Sequence, residues 1–265
     1  MHIDIGIYTL KDISGIDNCN KLLNILSSHR LIIEKMGEYE PVKKLFCVEA
    51  FEGLWEGRVI DDKDMTRCDI IFKGSVDAKF TGMIGWGKNL HPKPLSVNSF
   101  SLWLNVKKSY DISNIISLAD EIFKWAEADY GYISEKDKSV VNIQIQKNGF
   151  RVYAGNMYTG LYNLMWTNYF GKAYLAEENF NVPKDAVKLA HGVKIQLTDR
   201  PDDEKLSDLS FLKTYYNAMG DKWFWHFDEI VKDGRNYIAH LKKGFHQGEV
   251  SIPKFDRSAI TRKTD

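Results

Sequence analysis

Hydrophobic and polar residues alternate most regularly between Phe100 and Val106. Phe100, Leu102 and Leu104 face one side of an extended chain, and the intervening residues face the other. Alternation with a period of two predicts a strand that is buried on one face. Shorter apolar-rich runs predict further strands at Ile3–Leu10, Leu31–Lys35, Cys68–Lys73, Lys79–Trp86, Val140–Ile145 and Ala190–Thr198.

Apolar residues spaced three and four apart predict a long helix over Asp111–Asp129. Ile115, Ala119 and Ile122 belong to its apolar stripe, and Ser113 is the candidate N-cap. The same spacing predicts helices over Asp17–Arg30, Val48–Trp55, Leu161–Leu175 and Leu206–Met219.

The order of these elements predicts the fold class. Strands and helices neither alternate strictly nor repeat, which favours an α+β fold with a mixed, largely antiparallel sheet packed against helices. No linker rich in Pro or Ser divides residues 1–253, which we interpret as one compact domain or two tightly packed halves. A subdivision is expected near Gly87–Val97, and residues 254–265 form a polar tail.

Charge and apolar content limit the partners that we expect. The 36 basic and 36 acidic residues cancel, whereas a general nucleic-acid binder usually carries a basic excess. The first residues, Met1–Asp4, lack the basic and apolar regions of a secretory signal. No apolar run approaches the roughly 20 residues that cross a bilayer. We therefore expect a cytoplasmic protein with no direct nucleic-acid partner and no membrane partner.

The residues that usually carry chemistry do not form a strong motif. Cys19, Cys47 and Cys68 are widely spaced, which is typical of buried free thiols in a reducing compartment. No pair of histidines has the spacing of a zinc protease helix. The Gly82–Gly87 cluster is not a nucleotide-binding motif. We predict a protein that is not an enzyme and needs neither a metal nor a cofactor.

One enzymatic alternative remains open. Arg235 and His240 fit an R-x4-H pattern that resembles the motif of HEPN-type ribonucleases. In such a site the histidine would move a proton and the arginine would hold the phosphate. Five residues on a helix place the two side chains about 140° apart, so they would meet only across a helix end or a dimer.

Acidic runs and tryptophans provide the candidate binding residues. An acidic loop can oppose the basic cleft of a nuclease and speed association, and tryptophan is a favoured interface anchor. We predict a toxin-binding site at Asp199, Asp202, Asp203 and Glu204 with Trp223 and Trp225, and a secondary one at Asp61, Asp62 and Asp64.

The layout of the second half resembles bacterial immunity proteins against polymorphic toxins. A strand at Phe100–Val106 precedes the helix and Tyr130–Tyr132; Trp166–Gly171 and a strand at Gly192–Leu197 follow. These segments resemble immunity protein 52 and related immunity proteins of type VI secretion. The resemblance implies an α+β protein, made beside a toxic effector, that binds and blocks that effector. For immunity protein 52 the effector is typically a nuclease of restriction-endonuclease type, and no catalytic residue carries over.

We therefore expect an immunity protein that neutralises a cognate toxin by stoichiometric blocking of its active site or surface. The HEPN-like ribonuclease and a non-enzymatic adaptor module are the alternatives.

Overall fold

The fold was analysed in a computed structural model of the chain. The structure describes residues 1–60, 65–75, 78–89, 97–107, 111–135, 161, 164–224 and 251–254. These residues fall into two compact units, one within Met1–Gly131 and the other within Tyr132–Phe255. Gly87 and Val97, the ends of the segment at which a subdivision was expected, both belong to the first unit.

The first unit is an antiparallel sheet with helices on one face. Its strands run in the order β1, β7, β6, β5, β2 and β3, and β4 also pairs with β5. The elements are β1 (His2–Thr9), α1 (Ile16–Ser28), β2 (Lys35–Gly37), β3 (Lys44–Leu45), α2 (Val48–Trp55), β4 (Arg58–Ile60), β5 (Met65–Gly74), β6 (Lys79–Asn89), β7 (Asn98–Asn105) and α3 (Ile112–Trp125).

Register places the apolar residues of four strands in one row across this sheet. Ile7 pairs with Phe100, Phe100 with Ile84, and Ile84 with Ile70. All four side chains are buried. A one-residue slip would turn the row to the opposite face, so burial of the row fixes the register. The alternation predicted around Phe100 is confirmed.

The helices of the first unit cover the face that carries this row. The ring of Phe51 in α2 packs edge-on against Phe72 of β5, with centroids 6.1 Å apart. In α3 the buried stripe predicted from the sequence is confirmed, but the N-cap is Asp111 and not Ser113. The Asp111 carboxylate accepts from Ser113 N at 2.9 Å, because a cap side chain bonds the amide two residues on.

The second unit has strands in the order β10, β11, β9 and β8, in which β10 pairs antiparallel with β11 and β11 pairs antiparallel with β9. Phe170 of β9 pairs with Val193 of β11, and Asn168 pairs with Ile195. The elements are β8 (Tyr130–Glu135), which begins at the unit boundary, β9 (Thr167–Gly171), α4 (Lys172–Leu175), β10 (Val187–Leu189), β11 (Gly192–Gln196) and α5 (Leu209–Met219), with 3-10 turns at Glu204–Ser207 and Asp221–Trp223.

One element of the second unit differs from its prediction. The helix predicted over Leu161–Leu175 is wrong, because Thr167–Gly171 forms strand β9 and only Lys172–Leu175 is helical. Every residue of β9 is buried, so its apolar residues show no alternation and fit a helical spacing by accident. Its threonine and aromatic residues favour a strand.

Both units together confirm the predicted class, an α+β fold with a largely antiparallel sheet. In the part of the chain that the structure describes, no helix combines the length and the apolar character needed to cross a membrane. The strand predicted at Leu31–Lys35 forms only from Lys35 onward. The strand predicted at Val140–Ile145 and residues 255–265 of the polar tail lie outside the described residues.

Candidate interaction surface

The acidic loop, residues Asp199–Glu204, is tied to the core of the second unit. The buried indole of Trp166 donates from Nε1 to the carbonyl oxygen of Thr198 at 2.8 Å. Thr198 Oγ1 donates to the carbonyl oxygen of Arg200 at 2.8 Å. Pro201 and, just beyond the loop, Leu206 are buried. These contacts hold the loop backbone in one place, so binding of a partner need not order that backbone.

The backbone next to Trp166 is fixed by a buried polar side chain, that of Asn168. The Asn168 amide accepts from Met165 N at 2.8 Å and donates to the Met165 carbonyl oxygen at 2.7 Å. Leu197 N donates to the Trp166 carbonyl oxygen at 2.9 Å. The aromatic-rich segment around Trp166 therefore holds the backbone of Thr198, which leads into the acidic loop.

Two of the four carboxylates of the loop hold its own conformation. Asp202 accepts from Arg200 Nε at 2.9 Å and from Nη2 at 3.4 Å. This hydrogen bond raises the pKa of the Arg200 guanidinium. Asp203 accepts from Lys205 N at 2.9 Å and caps the following 3-10 turn. A charge change at either position would disturb the loop as well as its potential.

The other two carboxylates present their charge to solvent. Asp199 and Glu204 are both exposed. Among the described residues, neither side chain forms a hydrogen bond or an ion pair. Their charges are the ones that a basic partner meets without first breaking an internal bond.

Trp223 does not provide the exposed anchor that the sequence suggested. Its side chain is 2% exposed, and its Nε1 donates to the Asn179 carbonyl oxygen at 2.9 Å. The ring packs against Tyr174 and Phe180, with centroids 5.8 and 5.3 Å away. This tryptophan is a core residue because an aromatic cluster surrounds it and its one polar atom is satisfied.

Several candidate residues lie outside the described residues. They are Trp225 of the predicted aromatic anchor, the secondary acidic run Asp61, Asp62 and Asp64, and the Arg235 and His240 of the ribonuclease alternative.

An aromatic pair that the sequence analysis did not select lies on α5, the helix that follows the acidic loop. Phe211 and Tyr215 are half-buried, and their rings meet edge to face with centroids 5.6 Å apart. Aromatic residues four apart on a helix lie side by side, so this spacing was the available signal. Leu212 and Tyr216, which have the same spacing on this helix, are buried.

The cysteines follow the prediction at two of three positions. Cys19 and Cys68 are buried free thiols, and burial raises the pKa of each to about 12. Cys47 is exposed, so the prediction of burial is wrong there. Its position just before α2 places it at the helix N-cap, at the surface of the unit. Within the described residues, no three His, Cys, Asp or Glu side chains are arranged to hold a metal ion.

Comparison with known proteins gives a likeness of fold. No family model matches the chain, and no curated protein sequence matches it. Among solved structures, the chain is similar to the Pseudomonas aeruginosa T6SS protein PA0821, with a TM-score of 0.51 and 11% sequence identity. The match covers 98% of this chain and 91% of that chain. The likeness extends over nearly the whole length of both proteins, and it shows a shared fold.

Proposed function

We propose that this chain is an immunity protein that binds a cognate toxin, delivered by type VI secretion, and neutralises it by stoichiometric blocking. The observation that carries this proposal is the fold shared along nearly the whole chain with a T6SS protein. The sequence layout supports it independently, because Trp166–Gly171 and the strand after it resemble immunity protein 52. Neither support depends on a catalytic residue.

The acidic loop supports a nuclease as the toxin. A nuclease needs a basic cleft for phosphate, and such a cleft attracts fixed carboxylates. Asp199 and Glu204 offer exposed charge on a backbone that Trp166 holds in place. In this proposal the loop steers the toxin toward the second unit. Contacts of about 800 Å² per partner then hold the complex.

Growth and co-purification test the proposal. The proposal implies that a gene beside this chain's gene encodes the toxin. That neighbouring gene is expressed from an inducible promoter, with and without this chain, and a tagged copy of the chain is purified. We expect the toxin alone to stop growth, the chain to restore growth, and the two proteins to elute together. If the chain neither restores growth nor retains the toxin, the proposed function is wrong.

A further inference from the structure

One side of α5 carries aromatic side chains that are only partly buried. The buried stripe of this helix consists of Leu212, Tyr216 and Met219. The aromatic pair, Phe211 and Tyr215, lies beside this stripe and is only half-buried. Its rings are 5.6 Å apart with an interplanar angle of 70°, so each restrains the other.

The aromatic pair is joined to a second apolar stretch of the same unit. Tyr215 Oη donates to Asp185 Oδ2 at 3.2 Å. Burial and then the Asp185 charge raise the pKa of Tyr215, so the hydroxyl stays protonated and remains a donor. Asp185 lies between Val182 and Val187, which are 41% and 52% exposed. Val187 begins β10, the edge strand of the second unit.

An acidic segment leads directly into this surface. Residues 199–208 contain five carboxylates and two basic side chains. The last carboxylate, Asp208, caps α5 by accepting from Ser210 N at 2.8 Å, and Phe211 follows in the first helical turn. The apolar stretch therefore has an acidic border at the N-terminal end of α5.

We propose that Phe211, Tyr215, Val182, Val187 and Asp185, named here the α5 surface, anchor the toxin. This inference rests on the proposed function and names the contact through which it works. Half-buried aromatic side chains inside a polar border are the usual centre of a protein interface. The aromatic pair is already restrained by ring packing and by Asp185, so binding costs little further side-chain entropy.

The acidic border decides between two occupants of the α5 surface. A second copy of the chain in a two-fold contact would bury the α5 surface of both copies in one interface, which would then contain two acidic segments 199–208, each with five carboxylates and two basic side chains. Like charges in such a contact oppose association. A basic toxin meets the same border with opposite charge, which favours the toxin over self-association.

Affinity measurements on single variants test the α5 surface. The probe is the catalytically inactivated toxin encoded beside this chain's gene, immobilised and titrated with the wild-type chain and its variants. We expect Phe211→Ala to raise the Kd about 30-fold or more, mainly through faster dissociation. Tyr215→Phe keeps the ring, loses the bond to Asp185, and should raise the Kd by about threefold to tenfold. Trp103→Ala is the matched control, since Trp103 is 41% exposed in the first unit and should leave the Kd unchanged.

Stability and stoichiometry measurements keep the outcomes separate. The Tm of each variant is measured first. If the Tm of Phe211→Ala is well below that of the wild type, Val187→Gln, at a position that is 52% exposed, provides a second test. If the wild type binds the toxin and both Phe211→Ala and Val187→Gln bind it with the same Kd, the toxin is not anchored at the α5 surface. The proposed function would still stand. Absence of wild-type binding overturns both. Self-association that Phe211→Ala abolishes would make the α5 surface a contact between copies and overturn the toxin assignment.

Discussion

Two buried tryptophans of the second unit both fill apolar volume and donate one hydrogen bond. Trp166 and Trp223 each fill a large apolar volume, and each donates its indole N–H to a loop carbonyl, that of Thr198 or Asn179. A buried indole N–H without an acceptor would cost free energy, so each bond also selects the loop conformation that supplies the acceptor. Trp166 thereby positions the acidic loop, and Trp223 positions the chain that follows α4.

Replacement of Trp223 should reveal its structural role. We expect Trp223→Ala to lower the free energy of unfolding by about 3–5 kcal/mol, since it leaves a cavity in the aromatic cluster. Trp103→Ala, in the first unit and 41% exposed, should cost much less. Urea denaturation of both variants checks the difference. Equal, small losses would mean that Trp223 does not support the core.

Charge reversal should slow association without disturbing the fold. We expect Asp199→Lys with Glu204→Lys to lower the association rate with the toxin at low salt and to weaken its salt dependence. Asp202 and Asp203 are left intact because they hold Arg200 and cap the 3-10 turn. Stopped-flow kinetics at several salt concentrations measure the effect.

The control for charge reversal changes the net charge equally within the first unit. Asp17→Lys with Glu56→Lys alters two exposed acids of the first unit. If both double variants associate at the same rate, the acidic loop does not steer the toxin.

At the scale of elements, Asp129 joins the end of β1 to the chain that follows α3. Its carboxylate accepts from Leu10 N at 2.8 Å, and its own N–H donates to the Tyr8 carbonyl oxygen at 2.9 Å. Burial raises the pKa of Asp129, although the Leu10 amide partly opposes this shift. The folded state therefore binds this proton more tightly than the unfolded state, and the charged form destabilises the fold.

The raised pKa gives a signed pH dependence. As pH rises from the ordinary aspartate pKa of about 3.9 through the raised folded value, the wild type loses stability that Asp129→Asn does not lose. We expect the difference in unfolding free energy, wild type minus variant, to fall across this window. Urea denaturation at a series of pH values measures it, and a difference that rises with pH would contradict the assignment.

Asp111 provides a control of opposite sign for this measurement. The Ser113 side chain, and then its backbone amide, lower the pKa of the Asp111 carboxyl at the start of α3. Its contribution to stability is therefore present above the ordinary aspartate pKa and is lost as pH falls through the lowered value. The corresponding difference for Asp111→Asn should rise with pH.

Helices and strands with one buried and one solvated face were predicted correctly from the sequence, and the others were not. β7 and α3 were found from the sequence because each has one buried and one solvated face, which imposes a period on the residues. β9 was missed because it is buried on both faces. The short strands β2 and β4 depend on pairing with β5, and β3 depends on pairing with β2, so all three carry little signal of their own.

Those parts of the candidate surface that depend on local sequence could be predicted, and those that depend on tertiary packing could not. The position of the acidic loop could be read from its charges and Pro201, which favour a solvated turn. Burial of Trp223 could not be predicted from the sequence, because its ring packs against Tyr174 and Phe180, which lie far from it along the chain. Phe211 and Tyr215 are apolar residues beside a buried stripe, and only tertiary packing decides which of these side chains stay accessible.

At the scale of the whole molecule, the fold does not specify the function. An α+β fold hosts many activities, so the shared fold motivates the proposed neutralisation, and binding measurements on the acidic loop and the α5 surface test it. The acidic loop and the α5 surface both lie within the second unit, and the 3-10 turn Glu204–Ser207 and Asp208, the N-cap of α5, connect the loop to Phe211 along the chain. Steering by exposed charge and anchoring by aromatic side chains therefore take place on one contiguous part of the chain.

Titration of toxin activity tests the central claim most directly. A fixed amount of active purified toxin is mixed with increasing amounts of this chain, and the remaining toxic activity is measured on its substrate. Stoichiometric blocking predicts a linear fall that reaches zero near one equivalent, provided that the concentrations exceed the Kd. Toxin activity that stays unchanged at several equivalents would contradict the account.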